Sequence, residues 1–244
     1  MGVSGLKMMK KKVSIILPTY NEKENILELV RQVALYTGSN LLEIIVVDDN
    51  SPDGTWEIVQ KLQKKYRNLR LVRRLNENGL PSAIWRGIKE SKGNIVVWLD
   101  CDLSHPPQYI PKLLDYIDHY DIVCASRYVE KGKDTRSFVR VLASKMINII
   151  AELVLGLKVK DLTSGFYAVR KDVFKKVKIM ETGFAEYCIK FTYDALRQGF
   201  KIKEVGYISP NREKGASKTA TNFSRFLNDG YLCIKEIMKL RFSR

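Results

Sequence analysis

VSIILPTYNEKENILELVRQVALYTGSNLLEIIVVDDNSPDGT, residues 13–55, is the stretch that decides the fold. It opens with Val13–Leu17, a β-branched run without polar alternation, as a strand buried on both faces of a parallel sheet requires. Pro18 ends the run. From Glu24 to Tyr36, Ile26, Leu29, Val30 and Val33 recur at helical spacing, and Leu42–Val47 makes a second strand. Strand, helix, strand is a βαβ unit.

The alternation continues outward. Helices are predicted over 55–65, 82–91 and 110–117, with strands at 69–73, 94–99 and 121–125 between them. Such a series implies an α/β domain, a mostly parallel sheet with helices on both faces, whose ligands bind at the carboxyl ends of the strands. After Ser126 the pattern weakens: a polar loop over 128–137 precedes an amphipathic stretch over 138–157. Two further helices, 185–198 and 223–240, bracket a strand at 202–207 and a loop dense in Arg, Lys and Ser.

With 244 residues and 45% hydrophobic content the chain has the material for one core. Its net charge of +15 favours anionic partners: nucleic acid, an acidic lipid surface or a phosphorylated small molecule. Cys101, Cys124, Cys188 and Cys233 are widely spaced and are expected as buried free thiols, in keeping with a reducing cytosol. Residues 1–12 are basic without a following apolar run and read as a disordered leader rather than a secretory signal. The longest apolar stretches, 146–159 and 223–240, are broken by charges before reaching the roughly 18 residues that span a bilayer.

Polar groups gather after three strands: Pro18-Thr19-Tyr20-Asn21-Glu22, then Asp48-Asp49-Asn50-Ser51-Pro52-Asp53-Gly54, then Asp100-Cys101-Asp102. No GxGxxG follows the first strand, which argues against a dinucleotide site. Asp100 and Asp102 leave a buried strand as two like charges, an arrangement eased by a cation. Carboxylate oxygens there suit Mg²⁺ or Mn²⁺, which keep waters and bridge substrate phosphates. The plainer reading makes Asp102 the cap of the helix beyond Pro106-Pro107, and makes the DDNSPDG segment turn chemistry. Both readings stand for Asp49, which is placed to reach a ribose or base.

PTYNE, VVDDNSPDGT, LDCDLSHPP, ASRY and DLTSGFYAVR, in this order and spacing, resemble the dolichyl-phosphate mannose synthases and related polyprenyl-phosphate glycosyltransferases of the GT-A fold, from about Val13 to Lys218. The resemblance implies a GT-A domain over 13–220, followed by a basic amphipathic helix over 221–244. It implies inverting transfer of mannose from GDP-mannose to dolichyl or polyprenyl phosphate, with UDP-glucose, a UDP-N-acetylhexosamine or a glycan acceptor as the alternative. Pro18, Tyr20, Glu22, Val47 and Asp49 would line the nucleotide; Asp100, Cys101 and Asp102 would hold the sugar nucleotide and its metal, with Ser104 in a position where relatives carry a further metal contact. Arg127, Arg140 and Ser144 match positions that hold phosphate, and Arg212, Ser217 and Lys218 match a phosphate-binding RxxGxSK loop. Asp102, Arg127 and Arg140 would carry the catalysis.

The residues agree with those roles. A phosphomonoester is largely anionic at neutral pH, so it needs positive charge to position it more than a general base to activate it. Arginine forks suit phosphate oxygens. His105 is expected to be structural and His119 exposed. The family's acidic residue in the helix after Gly183 is replaced by Lys190, for which Glu186 is expected to compensate, and the loop's usual Leu-Gly is Thr219-Ala220. The 139–159 stretch reads either as a helix lying in a membrane interface or as one packed on the core, and the C-terminal helix carries the same two readings. The expectation is peripheral attachment to the cytoplasmic face of a membrane, alone or through a small membrane-spanning subunit. Nucleic acid is not expected as a partner, since no RNP-like aromatic motif or recognition-helix pattern is present.

Overall fold

A computed structural model describes residues 10–210 and 223–243. The strands are β1 (Val13–Thr19), β2 (Leu41–Asp48), β3 (Leu69–Arg73), β4 (Ile95–Trp98), β5 (Ile122–Ser126), β6 (Lys133–Asp134), β7 (Tyr167–Arg170), β8 (Ile202–Gly206) and β9 (Ile208–Ser209). The helices are α1 (Ile26–Thr37), α2 (Thr55–Gln63), α3 (Leu80–Glu90), α4 (Ile110–Tyr116), α5 (Phe138–Leu155), α6 (Glu186–Arg197) and α7 (Phe223–Phe242). Seven strands form one sheet in the order β3-β2-β1-β4-β7-β5-β8, while β6 and β9 pair apart from it.

β1 is buried at every residue, and it runs parallel to both β2 and β4. Chain order reverses at β1, so the crevice for a ligand opens where the carboxyl ends of β1 and β4 part. One apolar layer packs Ile15, Leu17, Val46 and Val97 under α1 and α4; the other packs Ile16, Val47, Val96 and Trp98 under α3 and α6. A third cluster joins α5, α6 and α7 through Ala151, Ile189, Cys233 and Ile237. All four cysteines are buried and free, as expected.

One strand departs from the expected alternation. β7 pairs antiparallel with both β4 and β5, lying between them. Its reversed direction lets the segment before it, residues 161–166, reach the same edge as the ends of β4 and β5. Within the predicted leader, Lys11 pairs with Asp118 at 2.9 Å, and the Lys12 amide donates to Asn94 at 2.8 Å. Residues 1–9 lie outside the described residues.

Candidate active site

A cleft of about 1380 Å³ lies across the ends of β1, β2 and β4 and extends between α5 and α7. Each of the three strand ends turns through a non-glycine residue with positive φ: Asn21 at 56°, Asn50 at 52° and Leu103 at 64°. Asparagine tolerates this region, whereas for leucine it stores about 1–3 kcal/mol of strain. Packing of the Leu103 side chain on the core opposes that strain and sharpens the bend at the acidic motif.

Asp100, Cys101, Asp102 and Ser104 all line the cleft. Asp102 does not cap α4, which starts eight residues later with Tyr109 at its N-cap position. Instead Asp102 Oδ1 accepts both the Ser104 amide, at 3.1 Å, and the Ser104 hydroxyl, at 2.6 Å. Ser104 thus acts on Asp102, its proton committed to orienting that carboxylate. The buried His105 accepts the Asp100 amide on Nδ1 at 3.0 Å and stacks on Phe166. Burial lowers its pKa to about 4, so it serves as a neutral acceptor that fixes the backbone of the motif. Its structural role is as expected, and His119 is exposed. Among the described residues no group of three or more His, Cys, Asp or Glu converges on a metal position. Two carboxylates with hard oxygen donors nevertheless fit Mg²⁺ or Mn²⁺, which take their other ligands from water and substrate phosphate.

Of the residues expected at a nucleotide, Pro18, Tyr20, Glu22 and Asp49 line the cleft. Asp49 Oδ1 accepts Arg74 Nε at 2.7 Å and Oδ2 accepts the Gly79 amide at 2.8 Å, while Arg74 Nη2 donates to the Gly79 carbonyl at 3.0 Å. Asp49 thereby clamps the 74–79 loop into the wall. Gly79 has φ of 112°, which a side chain would strain, so the clamp needs glycine there. Burial raises the Asp49 carboxyl, and Arg74 and Gly79 oppose that shift. Its neighbour Asp48 is fully buried and holds the turn through Ser51 and Thr19. The turn reading of DDNSPDG thus applies to Asp48, while Asp49 lines the cleft with its oxygens bonded to Arg74 and Gly79. Val47 is a correction: its side chain is wholly buried in the α3-side core and does not line the cleft, because alternation along β2 turns it beneath the sheet.

The opposite wall carries the arginines. Arg127 is buried, and Asp161 accepts its Nε at 2.8 Å, its Nη2 at 2.7 Å and its amide at 2.9 Å. Nη2 also donates to Thr163 Oγ1 at 2.9 Å, and Nη1 faces Asp134 at 3.6 Å. Arg136 in turn pairs with Asp134 at 2.6 Å. Arg127, Arg136, Arg140 and Ser144 share the cleft lining. Arg127 is therefore a guanidinium held rigidly by a carboxylate with one edge on the cleft, rather than an open fork. Arg212, Ser217 and Lys218 lie outside the described residues. Lys190 pairs with Asp194 at 2.6 Å, while the buried Glu186 accepts the Phe184 amide.

Sequence reading passed over Arg74, Arg136 and Thr163 at this site, and also Asp161 as the partner of Arg127. Arg74 follows the end of β3 directly, and Asp161 and Thr163 lie within the DLTSGFYAVR motif, which were the available signals; Arg136 had none. α5 has one face on the core and one face exposed. Asn148 and Ala151 are buried, whereas Phe138, Leu142, Met146, Ile149 and Leu153 form an exposed apolar stripe, with Phe138 at 78% and Leu153 at 77% exposure. On α7, Leu227, Tyr231, Met238 and Phe242 form another. No helix among the described residues is long and apolar enough to cross a membrane.

Comparison with known proteins agrees with this geometry. The chain is 42% identical over 214 residues to a dolichol-phosphate mannosyltransferase of Pyrococcus furiosus; the match covers 85% of the chain but only 59% of that longer relative. It is 33% identical to a polyprenol monophosphomannose synthase of Mycolicibacterium smegmatis, over 84% of the chain and 79% of the relative. In fold it is similar to glucosyl-3-phosphoglycerate synthase of Mycobacterium tuberculosis, solved with Mn²⁺, uridine diphosphate and phosphoglyceric acid, with a TM-score of 0.73 and 18% identity over 95% of the chain and 79% of that structure. Residues 14–178 match the family model described as glycosyl transferase family 2. With the parallel sheet, the acidic motif at the end of β4 and this match across most of its length, the chain belongs to the family 2 glycosyltransferases.

Proposed function

We propose that this protein transfers mannose from GDP-mannose to a polyprenyl or dolichyl phosphate, with inversion, at the cytoplasmic surface of a membrane. The observation that carries this reading is the shape of the cleft. It begins at a polar wall, passes the acidic motif, and continues between α5 and α7, where Met146 and Leu227 belong at once to the cleft lining and to the exposed apolar stripes. A lipid seated between those helices would bring its phosphate to the arginine wall without leaving apolar surroundings.

In this reading Asp100 and Asp102 hold Mg²⁺ or Mn²⁺, which when bound offsets charge on the donor diphosphate and its leaving group. Asp49, through Arg74 and Gly79, shapes the nucleotide wall that Pro18, Tyr20 and Glu22 complete. Arg127, held by Asp161, presents positive charge together with Arg140 and Ser144 to the acceptor phosphate; Arg212, Ser217 and Lys218 are assigned the same task. Orientation and charge supply the rate, since the anionic acceptor needs no strong base. The stripes of α5 and α7 lie in the interface, with flanking lysines and arginines toward anionic headgroups. A small membrane subunit could cover part of the same surface.

The test is transfer of radiolabelled sugar to a short polyprenyl phosphate, with Mg²⁺ or Mn²⁺, from GDP-mannose and in parallel from UDP-glucose and UDP-N-acetylglucosamine. Organic-extractable label that requires metal and Asp102 is the expected result. Preference for a UDP-sugar would replace the donor assignment; transfer to glycan and none to lipid phosphate would overturn the reading.

A further inference from the structure

We infer that Asn148 is a positioning residue that fixes the direction of the hydrogen bonds around Ser144, keeping the Ser144 hydroxyl a donor toward the acceptor phosphate. This rests on the lipid-phosphate reading above. Asn148 sits in the middle of α5 and is only 3% exposed. Asparagine is a poor helix former, and a buried amide is costly unless bonded. Here its bonds are made: Oδ1 accepts the Leu162 amide at 2.6 Å, and Nδ2 donates to the Ser144 carbonyl at 2.9 Å and to Thr163 Oγ1 at 3.2 Å. A backbone N–H can only donate and a carbonyl can only accept, so the amide cannot be flipped.

The direction propagates. Thr163 Oγ1 also accepts Arg127 Nη2 at 2.9 Å, and a guanidinium has nothing but donors. With both lone pairs occupied, the Thr163 proton must leave toward Ser144 Oγ, at 3.2 Å, or toward Asp161 Oδ1, at 3.4 Å. In neither case can Ser144 donate to Thr163. The Ser144 proton is turned instead to the Tyr128 hydroxyl oxygen or into the cleft that Ser144 lines. Tyr128 sends its own proton to Asp134 at 3.0 Å. An anion in the cleft therefore meets a serine ready to donate. Without the Asn148 amide, one lone pair on Thr163 opens, Ser144 can donate to it, and the donor facing the phosphate is lost.

The experiment compares wild type with Asn148→Leu and Asn148→Asp. Aspartate keeps the shape and the bond from the Leu162 amide but cannot donate to Thr163. Calorimetry would measure binding of GDP and, separately, of farnesyl phosphate; kinetics would follow transfer to a short polyprenyl phosphate and slow transfer of sugar to water. In both variants farnesyl phosphate affinity and the acceptor KM should worsen by roughly 10-fold or more, the effect of losing one charge-assisted hydrogen bond, while GDP affinity and transfer to water stay within about twofold. Variants that bind and use prenyl phosphate as wild type does would overturn the inference alone. A parallel loss of GDP binding would also overturn it, by showing a merely structural role. Wild type that binds no prenyl phosphate would overturn the lipid-phosphate reading and the inference with it.

Discussion

Asp161→Asn tests whether the arginine wall is held as described. Asp161 is fully buried, and its two oxygens accept three bonds from Arg127 between 2.7 and 2.9 Å. Asparagine keeps the volume but removes the charge, and it turns an NH₂ toward at least one guanidinium donor. Breaking a buried ion pair from one side costs about 3–5 kcal/mol, because the remaining charge stays buried without its counterion. For a chain of this size that lowers Tm by roughly 6–20 °C. Thermal denaturation followed by circular dichroism is the assay. Burial raises the Asp161 carboxyl, but the Arg127 charge and hydrogen bonds outweigh it, so its pKa is lowered. The stability from this group is therefore complete above the unfolded carboxyl value of about 3.9 and disappears as pH falls through the lower folded value. The Tm gap between wild type and Asp161→Asn should persist from neutral pH down to about pH 5 and narrow progressively below about pH 4. The double variant Arg127→Met/Asp161→Leu should recover most of the stability while transfer stays lost, since an apolar pair replaces the ionic one. An Asn variant that melts within about 2 °C of wild type at pH 7 would refute the claim that this pair is a buried, mutually dependent unit.

Asp102→Ala should leave Tm nearly unchanged and weaken metal-dependent nucleotide binding by about 100-fold, read by calorimetry with and without Mn²⁺. Asp49→Asn should raise the donor KM by about 10-fold or more, because it weakens the acceptor that holds Arg74 and the Gly79 amide; an unchanged KM would remove the clamp from the donor site. Leu153→Ser, at an exposed position of the α5 stripe, should cut co-flotation with anionic vesicles by about 10-fold without changing thermal stability, in line with the transfer energy of a leucine side chain. Equal flotation of the variant and wild type would take α5 out of the membrane interface.

The parallel part of the sheet was legible because its strands are buried on both faces: Val13–Leu17 and Asn94–Leu99 announce themselves as apolar runs, and the helices between them keep a 3.6-residue period. β7 was not. Tyr167–Arg170 is four residues long, and nothing local distinguishes an antiparallel strand slotted between two parallel ones. Its direction is set by its neighbours β4 and β5, which lie far from it in the chain. The acidic motif could be assigned to the site because an α/β sheet gathers ligands at its strand ends, so position alone carried information. Val47 shows the limit of that argument, since the residue before the strand end points the other way.

Charge pairing follows a different rule, and that explains which half of the site stayed hidden. Arg127 and Asp161 are 34 residues apart, and no period or spacing links them. They meet because β7 enters the sheet antiparallel beside β5 and delivers the segment 161–166 to the end of that strand. The unforeseen strand and the unforeseen ion pair are thus one fact: reversing β7 brings Asp161 to Arg127 and Thr163 to Ser144 and Asn148. Asn148 offered one faint signal, a polar side chain four residues after Ser144 and three before Ala151, on the face of α5 that is buried. A buried amide on such a face needs partners: the Ser144 carbonyl on α5 itself supplies one, and the segment leading into β7 supplies the Leu162 amide and Thr163 Oγ1. The positioning of the anion wall therefore depends on the antiparallel strand as much as on the arginines themselves, and substitutions that loosen residues 161–163 should disturb acceptor binding before they disturb the nucleotide side.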